Sequence, residues 1–108
     1  MIDKELMKDV HLTALAKGWW DDDRHAHIAA KAERIHSEIT ELVNTYADRS
    51  FLEADAKVPK YSKAEVEWAD CLLRLLDLGE KYCYDLDAVR AKHEYNKTRP
   101  YKHGGKAF

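Results

Sequence analysis

Apolar residues recur along this 108-residue chain at intervals of three and four, the period of helices buried along one side. Leu6, Val10 and Leu15 mark the inward face of a first predicted helix, residues 3–17, which Gly18 stops. Trp19, Trp20 and the run Asp21–Asp23 then form a loop, with an aspartate available to cap the next helix. That helix spans residues 25–49 and carries Ile28, Ile35, Ile39, Leu42 and Tyr46 on one side. Residues 50–61, with Pro59, read as a connection. Ser62-Lys63-Ala64-Glu65 is a capping box, so a third helix starts there and runs to Tyr82. Asp85 or Asp87 caps a fourth, which ends before Pro100 because a residue preceding proline is pushed out of helical geometry. No alternating β-branched run competes, and the pattern predicts an all-α, four-helix bundle.

The third helix is broader in its apolar face than a small bundle requires. Val66, Trp68, Ala69, Cys71, Leu72, Leu73, Leu75, Leu76 and Leu78 cover roughly two-thirds of its circumference at about 100° per residue. The remaining polar strip holds Glu67, Asp70, Arg74 and Asp77. A helix this apolar is buried on more than one side, so a homodimer, or a dimer of dimers, is expected to complete the bundle. Trp68 is expected in the core.

Composition narrows the class. Apolar residues make up 45% and charged residues 35%, the balance of one globular domain over residues 1–108. No apolar run approaches the ~20 residues of a membrane span. Asp3, Lys4, Glu5, Lys8 and Asp9 do not form a secretory signal. Two cysteines, Cys71 and Cys83, fit neither a disulfide framework nor a zinc knuckle. A reduced, cytoplasmic protein is expected, and a net charge of −2 gives no basis for nucleic acid as partner. That net value hides a division: residues 95–108 hold Lys97, Arg99, Lys102 and Lys106 and no acid, while the rest carries 14 basic and 20 acidic groups. Such a basic tail, residues 98–108 above all, is a solvated end, a nucleic-acid arm or a lid over an acidic site.

The acids have the spacing that makes the lid reading worth pursuing. Glu38 and Glu41 stand three apart on the second helix, and Glu67 and Asp70 three apart on the third, so each pair shares a face. If the two helices run antiparallel, four carboxylates meet. Crowded anions raise one another's pKa values unless a cation sits among them, and all-oxygen ligation suits Mg²⁺, which commonly bridges carboxylates to phosphates. A lone Glu33-x-x-His36 lacks the second motif a di-iron bundle needs. His25, His27, His93 and His103 offer no matched zinc pair.

Glu38-Ile39-Thr40-Glu41, 25 intervening residues and Glu67-Trp68-Ala69-Asp70 read ExxE…ExxD. This resembles the signature of the MazG-like, all-α nucleoside triphosphate pyrophosphohydrolases. Ala16-Lys17-Gly18-Trp19 is similar to the family's loop before the metal-binding helix. Lys92-x-x-x-Asn96-x-x-Arg99-Pro100 and His103-Gly104-Gly105-Lys106 are similar to the tail of its short, stand-alone and phage-type members. The resemblance covers most of residues 10–108. One departure is Cys83, where a glycine often breaks the chain before the last helix.

The resemblance implies Mg²⁺-dependent hydrolysis, with Mn²⁺ as a substitute, of a nucleoside triphosphate to the monophosphate and pyrophosphate. Glu38, Glu41, Glu67 and Asp70 would hold the metal; Glu38 or, by preference, Glu41 would take the proton from the attacking water. Lys92, Asn96, Arg99 and Lys106 would contact phosphates, and Trp19 or Trp20, one of the two, would stack on the base. Two alternatives remain open on the residues: phosphoribosyl-ATP pyrophosphohydrolase, a related all-α family, and a non-catalytic helical interaction module.

Overall fold

The computed structural model describes residues 1–21 and 27–101. It is all-helical, with four helices: α1 (Lys4–Ala16), α2 (Ile28–Ala47), α3 (Lys63–Lys81) and α4 (Asp87–Lys97). No strand occurs among the described residues; the one β feature there is an isolated bridge between Ala54 and Ser62. No described helix is long and apolar enough to cross a membrane.

Asp3 caps α1 by accepting from Leu6 N–H at 2.9 Å. The predicted capping box opens α3, with Ser62 Oγ accepting from Glu65 N–H and Glu65 Oε1 from Ser62 N–H, both at 3.1 Å. The N-cap of α2 is His27, without a side-chain cap bond, so Asp21 does not fill that role; Asp22 and Asp23 lie outside the described residues. At α4 the cap position is Leu86, and Asp85 acts from one residue earlier by accepting Asp87 N–H at 2.9 Å.

Helices α1, α2 and α3 each end on a left-handed residue, Gly18 (φ 79°), Arg49 (φ 65°) and Cys83 (φ 59°). At Gly18 and Cys83 the two bonds of a Schellman turn follow: Trp19 N–H to Ala14 O (3.0 Å) with Gly18 N–H to Leu15 O (3.1 Å), and Tyr84 N–H to Gly79 O (2.8 Å) with Cys83 N–H to Glu80 O (3.2 Å). Cys83 therefore makes the turn that a glycine would make.

Helix α3 is the centre: α1 and α2 each pack on it rather than on each other, and α4 packs on none of the three. Met7 and Ala14 of α1 are buried against it, and a Cβ at Gly79 would lie 2.8 Å from Met7 Cε, so glycine permits the close approach. The face of α2 turned inward carries buried Glu38 and Thr45 with half-buried Ile35 and Leu42, while Ile28, Ile39, Val43 and Tyr46 stay exposed. The predicted apolar stripe of α2 is thus split over two faces. Leu15, predicted inward, is exposed, because the α1 face that meets α3 runs through Met7, His11 and Ala14.

One expectation for α3 reverses: Trp68, predicted core, is 58% exposed. Asp77, on the polar strip, is 4% exposed. The four helices do not form a closed bundle among the described residues of one chain, since every residue of α4 is exposed. The radius of gyration, 16.4 Å, exceeds the roughly 13 Å of a compact domain of this size.

Candidate functional site

Glu38 bonds Arg74, while Glu41 lies close enough to Glu67 for their charges to interact, so numbering rises along α2 as it falls along α3. The two helices are antiparallel, and both carboxylate pairs come to one place. Glu38, Glu67 and Asp70 each offer an oxygen such that all three lie within 4.8 Å of one another. Glu41 joins them from the exposed side, close enough to Glu38 and Glu67 to feel the charge of both. Together with Trp19, Lys57, Leu73 and Arg74 they line a pocket of about 420 Å³.

The electrostatics reflect the crowding. Glu41 is pushed up to about 7, first by its hydrogen bond to Glu38, then by desolvation and the charges of Glu38 and Glu67. Desolvation raises Glu67, with the Asp70 charge adding to it, and likewise raises Asp70, with Glu38 adding to it. Even the buried Cys71 thiol is raised by its burial and by the neighbouring acids. These groups resist ionising together unless a cation joins them.

Arg74 answers part of that need. Its Nε donates to Glu38 Oε1 at 2.7 Å, and its guanidinium lies 4.6 Å from the centre of the Trp19 ring. One oxygen is left over: Glu67 Oε2 is buried without a hydrogen-bond partner. A buried carboxylate oxygen with no donor is costly, and a hard cation held by oxygens would satisfy it. The donor set therefore fits a divalent cation of the Mg²⁺ type, with Glu38, Glu67 and Asp70 as the ligands at hand and Glu41 beside them.

The wall that carries Trp19 is held from three helices. Trp20 is buried, and its Nε1–H donates to Asp77 Oδ1 and Oδ2 at 3.0 and 3.1 Å. His11 Nδ1 lies 2.7 Å from the same Asp77 Oδ1. Lys31 donates to the Trp19 carbonyl and places its ammonium 4.1 Å from the Trp20 ring centre. Thus α1, α2 and α3 all grip the turn that presents Trp19 to the pocket.

Of the residues singled out in the sequence, Trp19, Glu38, Glu41, Glu67 and Asp70 line the pocket. Trp20 does not, because Asp77 holds its indole in the interior. Lys92 and Asn96 on α4 and Arg99 just beyond it are not in the lining either. Their helix packs on no other helix of its own chain, and the Lys92 ammonium lies over the Tyr95 ring at 4.8 Å. Lys106 lies outside the described residues. Sequence reasoning assigned no role to Arg74 or Lys57. Arg74 was signalled by its place four residues after Asp70, whereas Lys57, in an irregular connection, carried no periodic signal.

No protein-family model matches the chain, and no curated protein or solved structure shows significant similarity to it.

Proposed function

We propose that the chain is a Mg²⁺-dependent nucleoside triphosphate pyrophosphohydrolase of the MazG-like, all-α type, releasing a (deoxy)nucleoside monophosphate and pyrophosphate. The observation that carries this reading is the convergence of Glu38, Glu67 and Asp70 oxygens within 4.8 Å, beside an unpartnered buried Glu67 oxygen. Mg²⁺ held there supplies a Lewis acid that offsets the charge of the phosphates. Glu41, raised to about 7 and on the exposed side, accepts the proton of the attacking water while the α–β phosphoanhydride bond breaks and pyrophosphate leaves. Trp19 offers an aromatic face to the base, and Arg74, stacked on that ring and bonded to Glu38, holds it at the pocket.

The same reading includes a homodimer or dimer of dimers. It is supported by the exposed apolar stripe Ile39, Val43 and Tyr46 on α2, by exposed Trp68 and Leu75 on α3, and by an α4 that packs on none of the other three helices. A cytoplasmic location is supported by two free thiols, Cys71 and Cys83. The test is release of pyrophosphate from a panel of ribo- and deoxynucleoside triphosphates with Mg²⁺, Mn²⁺ or a chelator. Metal-dependent release from at least one is expected. No release from any, with no rise in melting temperature on adding Mg²⁺ and nucleotide together, would favour a helical interaction module instead.

A further inference from the structure

The connection between α2 and α3 is built more firmly than a spacer requires. Asp55 N–H donates to Tyr61 O at 2.9 Å, Tyr61 N–H to Val58 O at 3.0 Å, and Lys63 N–H to Glu53 O at 2.8 Å, closing the base of the loop. Within it, Asp55 Oδ2 accepts from the backbone N–H groups of Lys57 (2.8 Å) and Val58 (2.9 Å). A carboxylate that binds backbone two and three residues on fixes the chain direction there, and the residue so fixed is Lys57.

Lys57 lines the acidic pocket, close enough for its charge to favour ionised Asp70. Its ammonium nevertheless has no hydrogen bond or ion pair with any described residue. Its neighbour Lys60 faces elsewhere, over the Tyr61 ring at 5.7 Å, and does not line the pocket. The other pocket cation, Arg74, is committed to Glu38 and Trp19. Among the lining residues, Lys57 is thus the uncommitted positive charge, and it is delivered by a pinned loop.

Resting on the reading of the pocket as a Mg²⁺–triphosphate site, we infer that Lys57 is its pyrophosphate-binding residue. Its ammonium meets the β and γ phosphates of the substrate and holds the same two groups as pyrophosphate after the α–β bond has broken. A compact charge with three rotatable donors on a flexible stem can follow phosphates whose position changes between substrate and product. Lys57 itself exchanges no bond or proton in this role. The four carboxylates alone would repel such a ligand, so a cation on the loop divides the labour with the metal.

The experiment is calorimetric titration of the full chain, first with MgCl₂ alone, then with inorganic pyrophosphate at saturating MgCl₂. Wild type is compared with Lys57→Gln, Lys57→Arg and Lys60→Gln, each checked for helical content. Lys57→Gln should bind Mg²⁺ at least as well as wild type and pyrophosphate about tenfold more weakly, the loss of one charge-assisted hydrogen bond. Lys57→Arg should recover most of that loss, and Lys60→Gln should match wild type. Unchanged pyrophosphate affinity in Lys57→Gln, with wild type binding it, overturns the role of Lys57 and leaves the metal site standing. An equal loss in Lys60→Gln also overturns it, by showing a diffuse charge effect. Wild type that binds neither Mg²⁺ nor pyrophosphate overturns the pocket reading and this inference together.

Discussion

Arg74 Nε lies 2.7 Å from Glu38 Oε1, with both side chains largely withdrawn from solvent. This ion pair ties α3 to α2 at the point where the acids crowd, and it gives Glu38 a counter-charge of the protein's own. A divalent cation that uses Glu38 therefore competes with a guanidinium for the same carboxylate. Replacing Arg74 by Gln should tighten binding of Mg²⁺ alone by about tenfold, the scale of one charged hydrogen bond. It should also reduce turnover, because the guanidinium that holds Glu38 and the Trp19 ring in place is gone. Titration calorimetry and a pyrophosphate-release assay on the same variant check both halves; weaker Mg²⁺ binding would show that Arg74 supports the metal site instead of competing for it.

Glu38→Gln and Asp70→Asn keep shape and remove charge. Each should abolish Mg²⁺-dependent turnover while leaving the helical circular dichroism spectrum intact. Asp70→Asn should also raise the melting temperature of the metal-free protein at neutral pH, because desolvation and the Glu38 charge both oppose ionised Asp70. Wild-type turnover in either variant would remove these residues from the metal set.

What the sequence made legible was local. The Ser62–Glu65 box, the Gly18 stop and the three-residue spacing of each acidic pair all act within one turn of helix, and the structure contains each of them. Cys83 and Arg49 make the same left-handed stop as Gly18, but neither residue type announces it. Hydropathy sent Trp68 inward, yet it is exposed, and it put Asp77 on a polar strip without showing that it would be buried. Asp77 is buried because Trp20 and His11 reach it from 57 and 66 residues away, partners that no period along α3 can reveal. Glu38 faces inward for a related reason: the apolar residues of α2 serve two faces, and periodicity does not say which one α3 will choose. Where α4 rests is likewise a question of tertiary contact.

Asp77 is the anchor of the turn that presents Trp19. Asp77→Ala leaves a buried Trp20 N–H and the His11 ring without their acceptor, which should cost about 2–4 kcal/mol. Urea unfolding measures that loss. A loss under about 0.5 kcal/mol, at the level of an ordinary surface change, would mean that the cluster does not hold the turn.

The exposed stripe on α2 gives a test of assembly. Ile39, Val43 and Tyr46 recur at helical spacing on the side turned away from α3, and Tyr46 is steadied by stacking on Phe51 with ring centres 4.5 Å apart. Wild type should scatter light as a dimer or tetramer at micromolar concentration, and Val43→Glu should shift it to monomer with its helices intact. A wild-type monomer would leave the stripe without a second copy to cover it.

The acidic pocket also predicts how stability responds to pH. In the folded chain Glu41 is raised from 4.5 to about 7, and Glu67 and Asp70 are raised as well. Between the ordinary carboxylate range and about pH 7, the folded state therefore holds protons that the unfolded chain has released. Folding stability must fall as pH rises through that window, the opposite of a salt-bridged carboxylate. Without metal, the melting temperature should be higher near about pH 5.5 than near about pH 8, and Glu41→Gln should flatten the slope by removing the group with the largest rise. Mg²⁺ binds the ionised carboxylates, so its stabilising effect should be large at the higher pH and small at the lower one. Thermal melts at the two pH values, each with chelator and with Mg²⁺, give four numbers. A metal-free protein that melts higher at the alkaline end, or a Mg²⁺ effect independent of pH, would contradict the close packing of these acids around one cation.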